Sequence, residues 1–200
     1  MKNYFKNSSI AKLGAKTQKV FLLIALIGFV SISSVNAQSN DIKNGFIGIS
    51  LGAAIPMGED IKENCDVGAQ FHLDFGYLLS KGIGIHAQIF GTRFYSKYQT
   101  KNSAGLMGLL AGPLFSTTST GVVEFDFKPA IGYCNGSVFE DERETARSKA
   151  TFAAGATASL RWNCWRNFSL SGNVIYVYGK PDGLDFSSLG IMVGVNYRLR

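Results

Sequence analysis

Along most of this chain the hydrophobic residues recur at every second position, which is the period of a strand with one apolar and one polar face. The last stretch is the cleanest. Leu189, Ile191, Val193, Val195, Tyr197 and Leu199 share one face there, and Gly190, Met192, Gly194, Asn196 and Arg198 share the other. Phe71, Leu73, Phe75, Tyr77 and Leu79 alternate in the same way with His72, Asp74, Gly76 and Leu78. Phe152 to Trp162 opposes Thr151, Gly155, Thr157, Ser159 and Arg161, and Val123, Phe125 and Phe127 oppose Glu124, Asp126 and Lys128. Four further strands fall at 45–55, 83–95, 106–116 and 168–179. Three of these alternate less cleanly, and Phe90 and Leu110 land on the polar face unless a bulge shifts the parity. No helical period is long enough to predict a helix.

The connections alternate in length. Short ones fall at Ser80 to Gly82, Ser116 to Gly121 and Asn163 to Asn167, and longer ones at Gly58 to Gly68, Ser96 to Ala104, Asn135 to Lys149 and Lys180 to Ser187. Short turns at one end and long loops at the other mark a membrane barrel. The acidic and basic run Glu140 to Glu144 has no apolar face to bury and reads as a solvated loop. Parity sets Leu79 and Ile83 on one face, with Ser80, Lys81 and Gly82 between them. It also places Asp74 beside Gln88 and diagonal to His86.

Which face is apolar toward what decides between a soluble and a membrane barrel. The polar face carries Asp74, His86, Gln88, Glu124, Asp126, Lys128, Arg161 and Arg198 together with many glycines. Charges of mixed sign beside glycines suit a narrow lumen, where long side chains pair and glycines make room. The apolar face is then left for lipid. Aromatic residues gather near the strand ends, with Tyr77, Phe115, Trp162, Trp165, Phe168 and Tyr197 at the short-turn end. Phe94, Tyr95, Tyr133, Tyr176, Tyr178 and Phe186 lie toward the loops, and together the two sets read as interfacial girdles.

Composition changes the picture mainly at the N-terminus. The chain has 200 residues, 46% of them hydrophobic, 17% charged and 23 of them glycine, which is enough for one domain. Residues 1–19 hold five lysines and no acidic residue, Val20 to Val30 is apolar or glycine, and Val35-Asn36-Ala37 follows. This is the layout of a secretion signal cleaved after Ala37, with 1–37 the signal and 38–200 the mature domain. Cleavage removes five of the six net positive charges, so the basic balance gives no reason to expect a nucleic-acid partner. Cys65, Cys134 and Cys164 lack metal-ligand spacing, and no metal or other cofactor is expected. Cys65 and Cys134 are expected on the same side of the barrel, where an exported chain could join them in a disulfide.

The signal, the strand count, the alternation of turns and loops and the terminal Gly194-Val195-Asn196-Tyr197-Arg198-Leu199 resemble the small eight-stranded outer-membrane β-barrels, including the OmpA membrane domain and the OmpX-type barrels. The fold so implied is all-β: an eight-stranded antiparallel up-and-down transmembrane barrel behind a cleaved signal peptide. In this family Gly194, Tyr197 and Leu199 would form the assembly signal, although the chain ends in Arg200 and Met192 stands where a polar residue is usual. The resemblance also implies outer-membrane lipid and the barrel-assembly machinery as partners. No serine is predicted on the lipid-facing side next to His72 or His86, the only two histidines, so the expectation is a non-enzymatic barrel of structural or surface-interaction role. A narrow passive channel and a soluble exported ligand-binding barrel are the alternatives.

Overall fold

The alternation turns into strands because a β-branched or aromatic side chain at every second position packs well on a pleated surface. A computed structural model of the protein describes residues 45–80, 82–98, 101–117, 122–141 and 143–199. The expected signal peptide and residues 38–44 lie outside the described residues. The strands are β1 (Gly45–Pro56), β2 (Gly68–Ser80), β3 (Ile83–Tyr95), β4 (Ser103–Ser116) and β5 (Val123–Glu140). They continue with β6 (Arg143–Arg147), β7 (Thr151–Trp162), β8 (Phe168–Gly179) and β9 (Ser188–Leu199).

Every pairing is antiparallel, in the order β4-β3-β2-β1-β9-β8-β7-β5, and β4 pairs with β5 to close the ring. Eight strands therefore form the barrel. The ninth, β6, pairs only with the upper end of β5 and stands outside the ring. Residues 135 to 149, expected to be a loop, are thus largely a strand hairpin, turning at Asp141 with φ 48°. Its strands extend the ladder beyond the barrel, which is why β5 is the longest strand. The first long connection contains a single helical turn, α1 (Glu59–Lys62). Among the described residues no helix is long and apolar enough to cross a membrane.

Pairing follows the expected parity with one local difference. Asp74 stands opposite Gln88, but the ladder slips between Leu78 and Ser80, so Ser80 pairs with Ile83 and Leu79 bulges. Only residues 81 and 82 are then left between paired positions, one fewer than the sequence suggested. Gly82 takes φ +83°, a value L side chains rarely adopt.

The outer surface is apolar from strand to strand: Ile49, Leu51, Phe125, Phe127, Ile131, Leu160, Val174, Ile191 and Val193 all point outward and exposed. The inner surface holds His72, Asp74, Gln88, Asp126, Lys128 and Arg161, all buried. This is the reverse of a water-soluble barrel and the arrangement of a transmembrane one. Phe115, Trp162, Trp165, Phe168 and Tyr197 are exposed near the short-turn end, with Phe168 and Tyr197 in edge-to-face contact at 5.1 Å. Tyr95, Tyr133 and Tyr176 are exposed toward the loops. Phe94 and Phe186, assigned above to the outer girdle, are instead buried in the interior cluster. Phe94 has the inward parity of β3, and Phe186 folds in from the last long loop.

Val193 lies midway along β9 and is 75% exposed, so in a bilayer its side chain meets hydrocarbon. Val193→Arg should lower the unfolding free energy in lipid vesicles by about 2–4 kcal/mol, read from denaturant titration. A change close to zero would mean that this face meets water.

Candidate functional site

The interior is built in two storeys because the inward positions change character along the strands. Near the short turns and the chain ends, the inward residues are charged. Arg161 donates from Nε to Asp126 Oδ2 at 2.6 Å and from Nη2 to Asp126 Oδ1 at 3.0 Å, and it reaches Glu124 Oε2 at 2.9 Å. Glu124 also accepts from Arg198 Nη2 at 2.5 Å and from Asn163 Nδ2 at 2.9 Å, and Ser116 donates to Asp126 at 2.6 Å. A bidentate guanidinium and carboxylate pair is among the stronger polar contacts available, and here each of these partners offsets part of the cost of burying charge.

Phe46 lies across this cluster. Its ring sits over Gly76 of the neighbouring strand, where a Cβ would come within 2.2 Å of it, and the Arg161 guanidinium stacks 4.6 Å from its centre. Lys128 Nζ stands 5.4 Å from the same ring. Aromatic faces favour cations, so Phe46 helps to hold both bases in place.

Many of the contacts tie strands that are not neighbours. Lys128 of β5 pairs with Asp74 of β2 across the lumen, and Arg198 of β9 reaches Glu124 of β5. Thr157 of β7 donates to Gln88 of β3 at 3.2 Å, and Asn173 of β8 donates to Ser50 of β1 at 3.0 Å. His86 Nε2 meets the backbone oxygen of Pro129 at 3.2 Å, and its Nδ1 lies 3.9 Å from Asp74. All eight polar residues singled out in the sequence therefore face the lumen. They form three groups: Asp74 with Lys128 and His86; Glu124 and Asp126 with Arg161 and Arg198; and Gln88 with Thr157.

The upper storey was not expected. Phe90, Phe94, Leu106, Leu110, Cys134, Ile175, Val177 and Met192 are buried as one apolar cluster, capped by Ile61, Cys65 and Phe186 from the loops. Phe90 and Leu110 reach it without any bulge, since the β3–β4 ladder runs unbroken from Ile83 to Tyr95. Met192, which departs from the family's polar position, is one of its members. The sequence signal was present: Phe90, Phe94, Leu106, Leu110, Ile175, Val177 and Met192 have inward parity and fall in the loop-side parts of their strands.

Cys65 and Cys134 are buried in this cluster as free thiols, and Cys164 is a free, half-buried thiol at the opposite end. Burial raises the Cys65 thiol above its ordinary pKa, which keeps it protonated and slow to react. Gly194 faces inward against Ser50, while Tyr197 and Leu199 face outward. Among the described residues no group of three His, Cys, Asp or Glu could hold a metal ion.

No family model matches the chain, and no curated protein matches it either. Solved structures do. Neisserial surface protein A aligns over 78% of this chain and 97% of its own, with a TM-score of 0.63 at 14% identity. This chain has the fold of the small outer-membrane β-barrels. The outer membrane protein OprG from Pseudomonas aeruginosa aligns over 80% of the barrel's chain and 100% of its own, with a TM-score of 0.52 at 11% identity. The outer membrane enzyme PagL aligns more loosely, over 77% of this chain and 99% of its own, with a TM-score of 0.48 at 10% identity.

Two measurements test this interior. Arg161 is 3% exposed and Asp126 fully buried, so Arg161→Met leaves the Asp126 carboxylate buried without its cation, while Glu124 keeps Arg198, and should cost about 3–5 kcal/mol of barrel stability. Adding Asp126→Asn to that variant should recover part of the loss, and strict additivity in the double-mutant cycle would show the pair to be uncoupled. In the folded barrel at neutral pH, a maleimide should modify Cys164 while sparing Cys65 and Cys134. A mass two hydrogens lighter in unreduced protein would instead reveal a disulfide.

Proposed function

We propose that the mature protein, released from its signal after Ala37 and inserted by the barrel-assembly machinery, is a closed, non-enzymatic barrel. In this reading it strengthens the outer membrane and presents its loops to partners outside the cell. The observation that carries the reading is the filled lumen. A salt-bridged storey and an apolar storey lie in series, so a path for ions meets charges already paired to one another and then a layer that offers no polar contact. The loop end is the part free to make contacts. Tyr98 is 78% exposed there, and the β5–β6 hairpin holds Arg143, Glu144 and Arg147 in solvent.

Both histidines point into the lumen and are buried, away from the lipid-facing surface on which a membrane substrate would lie. This favours a non-enzymatic role over hydrolysis of lipid.

Planar-bilayer recording tests the proposal against a narrow channel. The wild-type barrel should add no conductance steps above the bare bilayer. Steps of constant size that disappear on heat denaturation would establish the channel reading in its place.

A further inference from the structure

Among the described residues six of the eight barrel ladders run unbroken and the β2–β3 ladder slips by one residue at Leu79 beside its turn, whereas the β4–β5 ladder loses its pairing in mid-strand. Its pairing stops after Ala111 and Ile131 and resumes at Phe115 and Phe127 in the same register. Continued through the gap, that register sets Pro113 directly opposite Pro129. In an antiparallel pair, alternate positions exchange two N–H···O bonds, and losing one such position deletes its own bridge and those on either side. A gap of three pairs is therefore what two facing prolines produce, since neither has an N–H to give. Proline is normally confined to sheet edges or bulges, yet here two face each other within a closed wall.

The Pro129 carbonyl is taken up by a side chain instead. His86 stands on β3 opposite Gly112, and its Nε2 donates to Pro129 O at 3.2 Å, passing over β4 on the lumen side. Gly112 makes this possible, because a Cβ there would lie 2.1 Å from that oxygen. The His86 ring is backed by Asp74, which Lys128 holds from the β5 side of the same gap. The lipid side of the gap is apolar, and its lumen side sets leucines beside Lys128 and His86. Leu110 and Leu114 fill its inner face, and Phe115, Phe127 and Ile131 are exposed on its outer face.

We propose that the β4–β5 seam is where the barrel wall parts sideways toward the hydrocarbon of the bilayer, and that His86 is the latch that holds it shut. Parting elsewhere would expose mid-strand donors and acceptors to lipid, whereas here two donors are already gone and the outer surface that meets lipid is apolar.

The test is residue-resolved hydrogen exchange on the intact barrel in lipid nanodiscs. The Ala111, Phe115, Phe127 and Ile131 amides should exchange about tenfold faster than mid-strand amides of the β1–β9 seam. Pro113→Val with Pro129→Val restores both donors and should slow these four amides to the β1–β9 rate. His86→Ala should speed them further without touching β1–β9, and His86→Gln, which keeps a donor, should do so less. If the double proline variant does not insert, Pro113→Val alone should give an intermediate rate. Equal exchange at both seams of the wild-type barrel, or rates at β4–β5 unmoved by the proline and histidine changes, would overturn the proposal.

Discussion

A backbone amide inside a bilayer has no water to turn to, so each strand must find its hydrogen bonds on both edges, and only a closed ring provides them for every strand. The rest of this structure depends on that requirement. Closure of β4 on β5 removes the last free edges within the ring, and the ring forces each strand to divide its side chains between lipid and a narrow interior. The exterior can then be any sequence of apolar residues. The interior cannot be arbitrary, because eight strands leave room for side chains and little else.

The interior satisfies that limit in two chemically different ways. On the short-turn side, charges fill the space and compensate one another, with Arg161 held by two carboxylates and backed by Phe46. On the loop side the space is filled as in a soluble protein core, by Phe90, Leu106, Leu110 and Ile175 under a lid that includes Phe186 and Ile61. The two storeys differ in what they tolerate. A lost methyl group in the upper one leaves a cavity, whereas a lost partner in the lower one leaves a buried charge, which costs more. Cross-lumen pairs such as Lys128 with Asp74 also fix the shape of the ring, since they join strands that share no ladder.

Much of this was legible from alternation alone. Strand positions, inward parity and the placement of Asp74 opposite Gln88 follow from a period of two, because a slip of one residue would turn a whole strand inside out. What the period did not convey is how height along the barrel changes the preferred residue. Phe90, Leu110 and Phe94 looked like parity errors or girdle members because the interior was taken to be polar throughout. The β5–β6 hairpin was hidden for a different reason: its strands stand in solvent, where no apolar face is needed and charged residues carry no periodic signal. Among the lumen residues, membership could be read from the sequence, but the partners of each could not, since contacts across the ring depend on its curvature. His86 was placed near Asp74, while its bond to Pro129 needed the third strand to be seen.

The likeness to Neisserial surface protein A at 14% identity shows how little the ring asks of individual residues. A lipid-facing valine and a lipid-facing leucine serve equally, so the outward half of each strand is nearly free to drift while its class is kept. Inward positions drift only in concert, because a large side chain needs a small one beside it, as Phe46 needs Gly76. Backbone donors are the one element that cannot be exchanged for another of its class, which makes a proline in the ring wall a departure of a different order from any side-chain change. Pro113 and Pro129 share a single rung, so their missing donors coincide in one gap instead of opening two. A donor from the lumen, the His86 ring, meets one of the carbonyls left behind.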